Sequence, residues 1–89
     1  MPKYDMRDKI RRMSIIVYML QKREYNIIQI QEKMNYIMDR NWSKSIVEKD
    51  LAQLRDDFNC PIERIGHKLK INKPYSFVNQ IQQWVEFYV

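Results

Sequence analysis

Five polar side chains stand together at the front of the segment WSKSIVEKDLAQLRDDFNCPI, residues 42–62. They are Ser43, Lys44, Ser45, Glu48 and Lys49. Hydroxyl and ammonium groups can bond base edges and phosphates, and a carboxylate can accept from a base amino group. The free backbone N–H groups behind a helix N-cap also favour a phosphate. The same residues are equally typical of a solvated helix front, so the segment alone leaves both interpretations open.

The single cysteine and the single histidine of the chain offer little further chemistry. Cys60 and His67 are seven positions apart and have no third or fourth soft ligand beside them, so a zinc site is not expected. A Cys–His nucleophile pair would require a hairpin to fold back on itself, and no orienting group is evident. We therefore predict no catalytic activity, no cofactor and no small-molecule ligand for this chain.

Apolar residues recur every three or four positions and predict three amphipathic helices. These helices span residues 8–23, 26–38 and 43–58. Asn26 with Gln29 forms a capping box at the start of the second helix, and Ser43 is the N-cap of the third. The residues expected to face a common core are Ile10, Met13, Val17, Leu20, Ile27, Ile30, Met34, Ile37, Val47, Leu51, Leu54 and Phe58.

A β-hairpin is predicted after the third helix. Asn59 tolerates the left-handed conformation of a helix C-terminus, and Pro61 prevents the helix from continuing. Gly66 and His67 fit a two-residue type II′ turn, which gives a hairpin over residues 62–71. The face toward the helices would carry Ile62, Leu69 and Ile71, and the outward face Glu63, Lys68 and Lys70. Three helices followed by a hairpin is the order of a winged helix.

The end of the chain, residues 75–89, predicts a fourth amphipathic helix that is capped by Ser76 and carries a single charge, Glu86. Its apolar face is expected to comprise Phe77, Ile81, Trp84 and Tyr88. A helix this aromatic must pack on its own bundle, on a second copy or on a further domain. We predict a winged helix-turn-helix domain over residues 1–74, of the α+β, mainly helical class, and a dimerisation helix after it.

The net charge of +5 favours an anionic partner, either nucleic acid or a membrane surface. The charge is concentrated at the start, because residues 1–23 hold seven Lys and Arg against two Asp. A membrane partner is not expected, because the basic residues alternate with a core-forming stripe in several helices. One cysteine and the lack of a long apolar run are typical of a cytoplasmic protein.

The run SKSIVEKDLAQLRDDFNCPI resembles the winged helix-turn-helix domain found at the N-terminus of WYL-domain transcriptional regulators, and the similarity covers roughly residues 8–77. The matching residues are Ser43, Lys44, Val47, Lys49, Asp50, Leu51, Leu54, Arg55, Pro61 and Ile62. The segment LKINKPYSF after the hairpin is also similar to the family. Asn59 stands where the family has glycine, Ile46 stands where it has threonine, and the effector-sensing WYL domain is absent, so ligand sensing is not carried over.

The resemblance implies sequence-specific binding of duplex DNA, with the helix over residues 43–58 in the major groove and the hairpin as the wing. The implied groove residues are Lys44, Ser45, Glu48 and Lys49, and the wing residues for phosphate or minor groove are Arg64, His67 and Lys68. Further phosphate contacts are expected from Arg11, Arg12, Lys22 and Arg23. Asp50 would repel phosphates if it faced DNA, so we predict that it turns inward and pairs with Arg11 or Arg12.

The function predicted from the sequence is that of a small homodimeric transcriptional regulator that binds double-stranded DNA. Tight specific binding by so small a domain would need two copies on a repeated or palindromic site. The alternative is a winged-helix protein interaction module that docks a partner through its aromatic C-terminal helix. The operator, the sign of regulation and any effector are not encoded in recognisable form.

Overall fold

The computed structural model describes residues 6–88, with side chains described through Glu86. Its elements are, in chain order, α1 (Met6–Lys22), α2 (Ile27–Met38), α3 (Lys44–Asp57), β1 (Ile62–Ile65), β2 (Lys68–Ile71) and α4 (Phe77–Tyr88). The α+β, mostly helical class predicted from the sequence is confirmed. None of the helices within this range is long and apolar enough to cross a membrane.

The apolar stripes of α1, α2 and α3 meet in one core, to which the hairpin and α4 add residues. The buried apolar side chains are Met13, Ile16, Val17, Met19, Leu20, Ile30, Met34, Val47, Leu51, Leu54, Phe58, Cys60, Leu69, Ile71 and Phe77. Burial of so many apolar groups is the main favourable contribution to folding. Ile37 departs from its predicted core position, because its side chain is 52% exposed at the edge of α2.

The helix ends follow the capping chemistry expected from the sequence. The Gln29 N–H donates to Asn26 Oδ1 at 2.8 Å while the Asn26 N–H donates to Gln29 Oε1 at 2.9 Å, which completes the predicted capping box. Ser43 Oγ accepts from the Ile46 N–H at 3.4 Å. Asn59 has a φ of 52°, in the left-handed region as predicted, and it follows the end of α3.

The hairpin has the register predicted from the Gly66–His67 turn, with Ile62 opposite Ile71 and Ile65 opposite Lys68. Gly66 has a φ of 65°, which a side chain would strain. Lys70, predicted to face outward, instead donates from Nζ to the carbonyls of Leu20 and Gln21 at 3.4 and 3.3 Å. These carbonyls lie at the C-terminus of α1, where a cation is favourable.

A backbone bridge between Tyr25 and Leu69 fixes the hairpin to the helices. The Tyr25 N–H donates to the Leu69 carbonyl at 3.1 Å, and the Leu69 N–H donates to the Tyr25 carbonyl at 2.8 Å. Tyr25 lies between α1 and α2, so this connection acts as a short third strand beside β2. The inward side chains of β2 are buried in the core, as predicted, so the hairpin cannot swing freely.

One side of α4 packs on its own chain. Phe77 is 6% exposed, and its ring meets the Phe58 ring edge-on at a centroid separation of 5.4 Å. Trp84 lies 6.4 Å from the same ring, and the Tyr75 hydroxyl donates to the Phe58 carbonyl at 2.6 Å. Phe77 is therefore a core residue, which corrects its prediction as a dimer contact. The side chain of Tyr88, another predicted dimer contact, lies outside the described residues.

The buried thiol of Cys60 makes folding sensitive to alkaline pH. Burial raises the pKa of Cys60 from 9.0 to about 12, and a hydrogen bond with the Tyr75 side chain opposes this rise without cancelling it. The unfolded chain releases the thiol proton near pH 9 while the folded chain keeps it. The protonated Cys60 thiol therefore makes its full contribution to the stability of the fold below pH 9, and this contribution is lost as the pH rises toward 12.

We expect the free energy of unfolding to fall above pH 9, by up to about 1.4 kcal/mol per pH unit from this thiol. Urea denaturation at a series of pH values from 8 to 11 measures the slope. Cys60→Ala should give a shallower slope over the same range. A variant with the slope of the unaltered protein would contradict the contribution of Cys60.

Candidate nucleic-acid interface

The polar residues at the start of α3 form one exposed surface. We call Ser43, Lys44, Ser45, Glu48 and Lys49 the α3 front, and all five are exposed. The opposite side of α3 is buried through Val47, Asp50, Leu51 and Leu54. With 3.6 residues per turn, burial of that stripe directs the front away from α1 and α2. The α3 front is therefore open to a partner.

Side chains of α2 fix the turn that leads into α3. Asn35 donates from Nδ2 to the Trp42 carbonyl at 3.0 Å and accepts the Trp42 N–H on Oδ1 at 2.9 Å. Gln31 Nε2 donates to the same carbonyl at 3.1 Å. Together these bonds satisfy the backbone of the residue just before the Ser43 N-cap. They hold the N-terminus of α3 at a set position relative to α2.

A buried ion cluster joins α3 to α1. The Asp50 side chain is 1% exposed, and its Oδ2 accepts from Arg12 Nε at 2.7 Å. Its Oδ1 accepts from Lys9 Nζ at 3.1 Å and from Arg12 Nη2 at 3.3 Å. The prediction that Asp50 turns inward is confirmed, and the partner is Arg12 rather than Arg11. The Asp50 carboxylate is thus paired within the fold.

Trp42 stacks between two guanidinium groups. The Arg12 guanidinium lies 4.8 Å from the centroid of the indole ring, and that of Arg40 lies 5.4 Å from it. Arg40 Nη1 is also 3.0 Å from Asp8 Oδ2. Cation–π contacts of this kind are favourable, and partial desolvation strengthens them. The ring of Trp42 therefore serves the packing of the α2–α3 turn.

Four basic residues predicted to contact phosphates lie away from the α3 front: Arg12 is buried, and Arg11, Lys22 and Arg23 line a depression. Arg12 is only 7% exposed and bonds both oxygens of Asp50, so its prediction as a DNA contact is wrong. Arg11 is exposed, but it lines a depression between α1 and α2. We call this depression the α1–α2 groove; its apolar lining is Ile10, Ile15, Tyr18, Met19, Tyr25, Ile37 and Met38. No described residue of α3 lines it, so Arg11 is not grouped with the α3 front.

The hairpin presents the three predicted wing residues to solvent. Arg64, His67 and Lys68 are all exposed around the turn. Ile65 is 44% exposed next to them, and Lys73 is exposed just beyond β2. The sequence did not single out these last two residues. Ile65 pairs with Lys68 on the outward face of the hairpin. Side chains alternate between the two faces of a strand, so the inward positions of Leu69 and Ile71 could have identified Ile65 as outward.

Ala52 and Gln53 extend the exposed side of α3 by one more turn. They follow Glu48 and Lys49 by four positions, and both are partly buried. The sequence analysis stopped at the front of the helix and omitted them. Helical spacing alone is the signal that could have added them, because residues four apart lie on the same face. A small residue at position 52 lets a partner approach the helix axis closely.

Comparison with protein-family models, with curated proteins and with solved structures gives no match to this chain. No group of three or more His, Cys, Asp or Glu side chains within the described residues is arranged to hold a metal ion. The side chains of the α3 front and of the hairpin turn offer hydrogen-bond donors, acceptors and charge. Side chains of these kinds suit the recognition of an anionic polymer that itself exposes hydrogen-bond donors and acceptors.

Replacing Asp50 with Ala would leave the buried Arg12 guanidinium without its carboxylate. Breaking a buried pair in this way typically costs about 3–5 kcal/mol, and we expect Asp50→Ala to lower the free energy of unfolding by that amount. Urea denaturation followed by circular dichroism measures the change. Glu48→Ala removes an exposed carboxylate from the same helix and should change the value by less than about 0.5 kcal/mol. Similar small losses in both variants would contradict the structural role of Asp50.

Proposed function

We propose that this chain is a winged-helix domain that binds double-stranded DNA sequence-specifically and acts as a small cytoplasmic transcriptional regulator. The observation that carries the proposal is the α3 front, an exposed group of polar side chains on a helix whose other side is buried. A helix of this width fits the major groove, where Lys and Ser can bond base edges. The resemblance of residues 43–62 to WYL-family regulators supports the same function.

The winged-helix assignment is supported by how the hairpin is attached. The hairpin follows α3 directly and bridges back to Tyr25 between the first two helices. A third strand at that place and a short connection between α2 and α3 are expected of a helix-turn-helix domain with a wing. In this proposal α3 enters the groove and α2 crosses the backbone above it.

Phosphate contacts would come from the hairpin rather than from Arg12. Arg64 and Lys68 are exposed at its turn, with His67 between them, and Lys73 follows β2. Contacts to phosphates set the position of a protein on DNA and make its affinity depend on salt. Base contacts from Lys44 and Lys49 would then specify the sequence. Pairing with Arg12 and Lys9 keeps the Asp50 carboxylate away from the phosphates, which leaves Glu48 as the carboxylate of the α3 front.

The proposal is tested by selecting preferred duplexes from a random pool and measuring binding to the selected and random sequences. Lys44→Ala and Lys49→Ala should each weaken binding to the selected duplex by about 1–3 kcal/mol, with a smaller loss on random duplex. Lys33→Ala is the matched control, because Lys33 is an exposed lysine of α2 that lines the α1–α2 groove.

Affinity for random duplex should also fall steeply as salt rises, because phosphate contacts release counterions. If the Lys44 and Lys49 variants lost equal affinity for selected and random duplex, these lysines would contact phosphates and not bases. A salt-independent affinity, or no binding to any duplex, would contradict the function.

The proposed regulator is a homodimer that associates through α4. One winged-helix module buries only about 600–1,000 Å² on DNA, so two copies would provide the affinity a regulator needs. Phe77 is used within the monomer, but Val78 and Val85 are 72% and 44% exposed on the neighbouring edge of the helix. Ile81 lies between them and is partly buried. This edge, defined by Val78, Ile81 and Val85, is available to a second copy, and Trp84 beside it is 45% exposed.

Val85→Glu should convert the dimer to a monomer, because it would bury a carboxylate at an apolar contact. Sedimentation equilibrium measures the mass of the unaltered protein and of the variant. Ile28→Glu is the matched control, since Ile28 is 48% exposed on α2, and it should remain dimeric. An unaltered protein that is monomeric at all concentrations would contradict the dimer and would favour the alternative, in which α4 docks a different protein.

A further inference from the structure

The α1–α2 groove is a second surface that the proposed DNA contacts do not use. Two adjoining depressions, which share Ser14, Ile15 and Ile37, together make up this groove along both helices. The side chains of Tyr18 and Ile37 on its walls are 56% and 52% exposed. Large apolar side chains of this exposure, grouped along one groove, mark a place where a partner can bury them.

The rim of the α1–α2 groove is strongly basic. Its charged lining residues are Asp8, Arg11, Lys22, Arg23, Lys33 and Arg40. The single carboxylate among them, Asp8, already pairs with Arg40 at 3.0 Å. Within the described residues, no carboxylate forms an ion pair with Arg11, Lys22, Arg23 or Lys33. Four cations thus surround an apolar floor without local neutralisation.

The position of the groove separates it from the proposed DNA interface. Its lining residues come from α1, α2 and the connections that follow these helices, and none of those described belongs to α3 or to the hairpin. The groove thus shares α2, but no described lining residue, with the proposed DNA interface. The apolar floor formed by Ile15 and Ile37 offers a phosphate no hydrogen bond, so the floor favours an occupant that carries apolar side chains.

We propose that the α1–α2 groove binds an acidic amphipathic helix of a partner protein. Two neighbouring helices offer a groove into which a third can lay apolar residues spaced i, i+3 or i+4 and i+7. The four rim cations would pair with Asp and Glu on the flanks of that helix and would select against basic or neutral segments. The α4 helix of a second copy does not fit this description, because Glu86 is its only charged residue.

This inference goes beyond the proposed DNA binding, and a synthetic peptide tests it separately. The probe is a fluorescein-labelled peptide of about four helical turns, with Leu and Phe along one face and Glu elsewhere. Two peptides serve for comparison. One has the same composition in scrambled order, and the other has the same apolar pattern with Lys in place of Glu. Fluorescence anisotropy should show the acidic amphipathic peptide binding at least about tenfold more tightly than either comparison.

Variants of the full chain assign the binding to the groove. Ile37→Glu and Lys33→Glu should each weaken peptide binding by about tenfold or more, because one removes an apolar contact and the other reverses a rim charge. Ile28→Glu on α2 and Lys49→Glu on α3 are matched in chemistry and should leave binding unchanged. Melting temperatures of all four variants establish that each is folded.

Three results would overturn the inference. In the first, the scrambled peptide binds as tightly as the amphipathic one. In the second, Lys49→Glu weakens peptide binding as much as Lys33→Glu. Each of these results would show that the peptide is held by general charge attraction and not by the groove. Displacement of the peptide by excess random duplex or by anionic lipid vesicles would assign the groove to phosphate groups instead. Because the peptide assay contains no DNA in its first stage, its failure would leave the proposed DNA binding unaffected.

Discussion

The ion cluster of Asp50 with Arg12 and Lys9 is the interaction on which the rest of the structure depends. It joins the middle of α3 to α1 through three hydrogen bonds and fixes the rotation of α3 about its axis. That rotation decides which side chains are buried and which form the α3 front. Arg12 extends the cluster to Trp42 and so couples the same contact to the turn before α3. Buried ion pairs are weak sources of net stability, but they penalise any packing that leaves a charge alone.

A second constraint fixes the hairpin on the same framework. The backbone bridge of Tyr25 with Leu69 and the burial of Leu69 and Ile71 attach β2 to the end of α1. Lys70 adds a cation to the carbonyls at that helix terminus. The hairpin turn and the α3 front are thus held by one rigid core. A fixed spacing between two exposed polar surfaces is what a protein needs to contact a groove and the adjacent backbone together.

The sequence by itself determined the elements and most of their ends. Helical spacing of apolar residues, the Asn26–Gln29 capping box and the Asn59 terminus are local signals, and each structural feature follows from residues a few positions apart. The hairpin register also follows locally, because a two-residue turn at Gly66 leaves one pairing that puts Leu69 and Ile71 inside. Even the inward direction of Asp50 could be predicted, since its position on α3 adjoins the buried stripe.

Tertiary structure alone decided which basic residues remain available and where apolar surface stays exposed. Arg11 and Arg12 are neighbours in the sequence, yet one lines the α1–α2 groove and the other is buried against Asp50. Likewise, Phe77 lies in the core, whereas its neighbour Val78 lies on the exposed edge of α4. A periodic pattern gives the faces of a helix, but the partner of each face depends on how distant helices pack. The sequence narrowed the partner of Asp50 to Arg11 or Arg12, but only the packing of α1 on α3 selects one of them. Such contacts between residues about 40 positions apart determine which surfaces stay exposed.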